Sequence, residues 1–189
     1  RYDDDKNIVF IAGMTTALTN IGAGVTAPLL SIRVAPSVDN GLTGLLGQRE
    51  LINRMQLTLR STGIQTAGTN FLVTGRLNSR ITGGTQVAFQ PVGGSSLSQV
   101  CYHSSGQTIS GGEITFGAFT SPGVNVLDLT VVRDLGNSIL GGGQTLVYPA
   151  NDLNKYPDGP DILTLAVQNT GGITSNSAIA RIGWTEAQA

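Results

Sequence analysis

The sequence predicts an all-β chain folded as an antiparallel β-sandwich or jelly-roll-like domain, and three observations lead there. Charged residues make up only 12 % of 189 residues, against a usual share of about 25 %. Ser, Thr, Asn, Gln and Gly must therefore cover much of the surface, whereas long helices with solvated faces need more Lys and Glu. Short runs of apolar residues alternate at period two, and Gly, Asn or Pro separates one run from the next, as in sheets joined by tight turns. No run of crossover-helix length stands between them, which argues against a parallel α/β sheet.

Taken in order, NIVFIAGM and TTALTN carry β-branched residues, and APLLSIRVAP alternates Leu30, Ile32 and Val34 before Pro36 closes it. The DNG at 39–41 is a turn signal. In GLLGQRELINRMQLTLRSTGI, Leu51, Ile52 and Met55 have helical spacing, while Met55, Leu57 and Leu59 alternate with Gln56, Thr58 and Arg60. This stretch predicts one short helical turn at 48–52 and a strand over 53–62. FLVTGRLN, TQVAFQPV, LSQVCYHSS, EITFGAFT, NVLDLTVVRDL, QTLVYP, DILTLAVQN and AIARIGWTEA complete a set of short strands with Gly-rich turns. Residues 1–6, RYDDDK, read as a polar linker or tag remnant, and 7–189 as a single β-rich domain, the C-terminal part of a longer protein.

Net charge is −1, with the arginines scattered, so no basic stripe supports nucleic-acid binding. No apolar run reaches the length of about 18 residues that a membrane span needs. Cys101, the single cysteine, cannot form an intrachain disulfide and reads as a small buried apolar residue in VCYH.

Candidate chemistry is sparse. His103, the only histidine, falls within a run expected to be a strand, and no G-x-S-x-G elbow accompanies it. One Cys and one His cannot complete a four-ligand zinc site, although a threefold assembly could gather three copies of His103. The glycine clusters GGSS at 93–96, SGG at 110–112 and GGG at 141–143 lack the Lys-Ser or Lys-Thr of a phosphate loop and read as turn glycines. A glycosidase needs two carboxylates across a cleft, and the spacing of Asp128, Asp134, Asp152, Asp158 and Asp161 places no pair so. In YPDGPDILTL, Asp158 and Asp161, with Asp152, are candidate calcium ligands. Against that, Pro157 and Pro160 fix φ, Asp158-Gly159 makes a turn and Asp161 caps the entry to the following strand. Tyr102, Tyr148, Tyr156 and Trp184 are the candidates for sugar stacking, and Trp184, in an alternating strand, reads first as core or interface.

GQRELINRMQLTL, DLTVVRDLGNSILGGGQ, YPDGPDILTL and ARIGWTEAQA resemble, in this order, segments of virion structural proteins of marine cyanophages, in particular those with contractile tails. The resemblance spans most of the region from Gly44 to Ala189 and implies a virion component without naming its position in the particle or any binding residue. The expected function is thus a non-enzymatic structural element of a tail, fibre or capsid surface, without a cofactor. It would act through self-assembly, with a homotrimer favoured, and through contacts with other virion proteins. The alternative is a receptor- or carbohydrate-binding module that meets a host surface glycan.

Overall fold

A computed structural model of the chain describes residues 8–35, 55–93, 97–121, 139–141 and 161–187. The expected helical turn at 48–52 and the expected strands NVLDLTVVRDL and QTLVYP lie outside the described residues.

Among the described residues the fold is all-β, as the alternation predicts, and every strand pairing is antiparallel. Its strands are β1 (Ile8–Gly13), β2 (Leu18–Thr19), β3 (Thr26–Val34), β4 (Gln56–Ala67), β5 (Phe71–Leu77), β6 (Arg80–Gly83), β7 (Gln90–Pro91), β8 (Ser98–Tyr102), β9 (Gln107–Ser110), β10 (Glu113–Thr120), β11 (Ile139–Gly141), β12 (Ile162–Asn169) and β13 (Ser177–Ala187). One sheet runs β1-β13-β4-β11, with β2 also on β13. The other runs β10-β5-β12-β3-β8-β7, and β6 with β9 forms a separate ribbon.

The two sheets enclose one apolar core, to which the inward positions of each long strand contribute at period two. From the first sheet come Leu57 and Leu59 of β4 and Ala178, Ala180, Ile182 and Trp184 of β13; the second supplies Leu30, Ile32, Val73, Leu165 and Val167. Trp184 is fully buried and stacks on Phe10 of β1 with ring centroids 5.9 Å apart. The reading of Trp184 as core rather than as a sugar platform is therefore correct.

Several strands differ from their sequence outlines. β4 continues past the predicted end at 62 to Ala67, since a glycine in its path is used rather than avoided: a Cβ at Gly63 would lie 2.6 Å from Nε of Arg181, whose side chain covers that position. Pro28 sits inside β3, where it lacks the N–H a ladder needs. A register shift between Leu165 and Ala166 of the neighbouring β12 falls opposite this point and accommodates it. TQVAFQPV, expected as a strand, keeps only β7. Thr85 O and Val87 O in the rest of it accept from the Ser104 hydroxyl and the Cys101 thiol instead of from a neighbouring strand.

Candidate functional site

The side chains with most chemical potential sit on the outer face of the six-stranded sheet. Register places Thr164 of β12, Ser31 of β3 and Cys101 of β8 side by side, all pointing away from the core, and the segment around 85–89 lies over them. His103 stands one residue beyond β8 rather than within a strand as expected. Its N–H donates to Leu29 O at 2.9 Å, so the backbone stays alongside β3 and directs the imidazole under the cover.

These groups form one directed chain of hydrogen bonds. Oε1 of Gln107 accepts from Ser104 N–H at 3.0 Å and lies 3.1 Å from Nδ1 of His103. An oxygen that already accepts there fixes the proton on Nδ1. Nε2 is then the basic nitrogen and accepts from the Ser31 hydroxyl at 2.7 Å. Ser31 Oγ in turn accepts from the Thr164 hydroxyl at 2.6 Å. Burial holds the His103 pKa below the usual histidine range, an effect the Gln107 hydrogen bond partly opposes, so the ring is neutral near pH 7.

A serine bonded to a histidine that is oriented by a third group has the connectivity of an activated nucleophile. Ser31 is only 1 % exposed, however, so no substrate carbonyl can reach it in this arrangement. Cys101, whose sulfur is 3.9 Å from Nδ1 of the same imidazole, is equally enclosed, and burial pushes its thiol pKa up while Arg33 draws it down less strongly. A reactive cysteine needs the opposite shift. Cys101 therefore behaves as the small buried residue its sequence context suggested, with its S–H donating to Val87 O. Beside it, the Arg33 guanidinium lies 4.1 Å from the centroid of the Phe89 ring and donates to Oε1 of Gln99, which clamps the cover from the other side.

One face of this layer borders a cleft of about 230 Å³ between residues 18–27 and the 104–108 turn. Leu18, Ile21 and Ala27 give it an apolar floor, and Thr19, Ser104 and Ser105 a polar rim. Among the described residues no charged side chain lines it. Gln107, 2 % exposed, also lines the cleft; its Oε1 is engaged twice, while its amide nitrogen has no protein acceptor among the described residues.

Two further polar centres were not singled out from sequence. Glu186 follows the inward alternation of β13 and closes one end of the sandwich. Its Oε1 accepts from Ser98 Oγ at 2.6 Å and from Trp184 Nε1 at 3.1 Å, and its Oε2 accepts from Leu97 N–H at 3.0 Å, tying the two sheets together. Extending the period-two pattern of Ala180, Ile182 and Trp184 by one step would have placed this carboxylate on the inner face. At another site Asn169 and Asn176 both donate to Ile21 O, each at 2.8 Å, and to Ile173 O. Asn176 Oδ1 accepts from Ile21 N–H, so these amides tie the β2–β3 loop to the β12–β13 loop.

Of the calcium candidates, Asp158 lies outside the described residues. Asp161 accepts through Oδ1 from Asn78 Nδ2 at 2.9 Å, while Asn78 Oδ1 accepts from Ile162 N–H. The first N–H of β12 is thus bonded by Asn78, which Asp161 holds in place, and residues 157–160 of the expected turn lie outside the described residues. Among the described residues no three His, Cys, Asp or Glu groups converge as metal ligands. Ser110 ends β9, and Gly111 and Gly112 form its short connection to β10, with both glycines at positive φ, as turn glycines do. Of the sugar-stacking candidates, Tyr102 packs partly buried against the core, and Tyr148 and Tyr156 lie outside the described residues. Comparison with models of protein families, with curated proteins and with solved structures gives no match.

Proposed function

We propose that this chain is a non-enzymatic structural element of a phage virion, in a tail, fibre or capsid surface, that works through self-assembly and contacts with other virion proteins. The observation that carries the assembly part is where its large exposed apolar side chains lie. Among the described residues they are Val9, Ile11, Ile114, Phe119 and Ile173, and all but the last are on β1 and β10, the outermost strand of each sheet at one end of its order. Apolar side chains beside open backbone groups suit strand and sheet contacts with other molecules. The virion setting rests on the resemblance of the four segments between Gly44 and Ala189.

The test is protein mass spectrometry of purified particles from infected cells together with light scattering of the isolated chain over a dilution series. Peptides of the chain within the particles and a mass above that of one copy are expected. A chain abundant in the lysate but missing from particles overturns the virion reading. Threefold closure, the sequence-based preference, and twofold closure are distinguished by the mass itself.

A second reading, a receptor- or carbohydrate-binding module, is favoured by the Gln107 amide nitrogen, which has no acceptor among the described residues and lies beside a cleft with a hydroxyl-bearing rim. A buried donor without an acceptor is costly unless water or a ligand oxygen reaches it. Saturation-transfer NMR with neutral monosaccharides tests it, and the signal should vanish on Gln107→Leu.

Among the described residues no helix is long and apolar enough to cross a membrane.

A further inference from the structure

The ends of the two sheets are not equally protected against pairing with another chain. β7 is two residues long and contains Pro91, and β11 has three residues. β10 opens with Glu113 and carries a register shift between Ile114 and Phe116. Short length, proline, charge and bulges are the devices that blunt an edge. β1 has none of them. Its six residues, IVFIAG, hold no charge and no proline, and its register on β13 is unbroken from Ile8 to Gly13. Val9 and Ile11 are 62 % and 63 % exposed.

The hydrogen-bond phase of this edge is fixed as well. Met14 N–H donates to Ala180 O at 2.9 Å. With the unbroken register, the even-numbered residues of β1 therefore turn their peptide groups to β13. Val9, Ile11 and Gly13 turn theirs away, and among the described residues β1 pairs with β13 alone. Antiparallel pairing of two such edges about a twofold axis at Phe10 sets Val9 opposite Ile11 of the second copy and Ile11 opposite its Val9. Those are the residues whose N–H and C=O point outward, so each facing pair exchanges hydrogen bonds while its exposed apolar side chains meet on one face. A register one residue away would bring inward-turned groups against outward-turned ones and lose the ladder.

We propose that β1 is a self-pairing edge, through which two copies join their β1-β13-β4-β11 sheets into one continuous sheet across a twofold axis. This deepens the assembly reading above and rests on it, naming a second copy of this chain as the partner. The contact is isologous and closes at two copies; other surfaces would then link such pairs to neighbours.

The experiment is light scattering of the intact chain over a dilution series, with Ile11→Lys, Val9→Lys and, as a control on the other edge, Phe119→Lys. All three positions are exposed, and circular dichroism with thermal melting checks that each variant folds. The expected result is a dimeric parent, a halved mass for Ile11→Lys and Val9→Lys, and an unchanged mass for Phe119→Lys. An oligomeric parent whose mass neither β1 substitution alters overturns the β1 pairing but leaves self-assembly standing. A parent that stays monomeric at the highest concentration reached overturns both the pairing and self-assembly by this domain. Two Lys variants guard against misfolding of one, since they alter the same edge at separate residues.

Discussion

At its central strands β3 and β12 the six-stranded sheet is buried on both faces, and the two faces are held by different forces. On the inner face Leu30, Ile32, Leu163 and Leu165 meet the opposite sheet with no polar atoms in their side chains. On the outer face, Ser31 and Thr164, one residue along in the same strands, join His103 just beyond β8 and Gln107 at the start of β9 in a chain in which each hydrogen bond fixes the direction of the next. Apolar packing is non-directional and indifferent to pH, whereas a buried polar chain depends on every member and on the protonation of its one titratable ring. The layers thus have similar burial but opposite sensitivities, and substitutions can separate them.

The largest effect is expected on the inner face. Leu165→Ala should cost about 2–5 kcal/mol, the range for deleting a buried leucine side chain, and chemical unfolding should give the same loss at neutral and mildly acidic pH. On the outer face Ser31→Ala removes the donor to Nε2 of His103 and the acceptor of the Thr164 hydroxyl. The expected loss is about 1–3 kcal/mol, that of stranding a buried polar group. A neutral effect in urea unfolding would mean that the layer contributes little.

Acid should act on the outer layer through His103. Burial lowers the folded-state pKa of His103 below the value of about 6.5 expected in the unfolded chain. Between those two values the unfolded chain takes up a proton and the folded chain does not, so stability is full above this window and falls as pH drops through it. His103→Gln should flatten this part of the pH profile of the melting temperature, and an unchanged acid slope in the variant would place its origin elsewhere.

The smallest effect is predicted at the turn into β12. Asp161→Asn should change stability by no more than about 0.5 kcal/mol, because an amide oxygen can still accept from Asn78, and a calcium chelator should leave the melting temperature unchanged. A drop on chelation that Asp161→Asn abolishes would instead restore Asp161 as an ion ligand.

The sandwich was legible because alternation is a local signal: APLLSIRVAP, DILTLAVQN and AIARIGWTEA each show which side faces inward, and the structure agrees. Irregular pieces were less legible. β6 and β9 are four residues each, too short for a period to stand out, and TQVAFQPV has strand composition but spends its carbonyls on side chains. The polar layer was hidden for another reason. Ser31, His103, Gln107 and Thr164 come from separate stretches and meet only through strand order, which one sequence does not state. Asn169 and Asn176 were not singled out, because their role depends on a loop far away in sequence at Ile21.

The placement of β13 has a kinetic consequence. This strand is central to its sheet and pairs with β1, β2 and β4, yet it follows all three in sequence. During synthesis β1 therefore emerges well before the strand that will pair with it, and Phe10 waits for Trp184. Distant pairings of this kind slow folding and lengthen the time in which apolar strands stand open to other chains. The segment IVFIAG is thus most vulnerable to misassociation before residues 177–187 arrive, and slower elongation late in the message would prolong that interval.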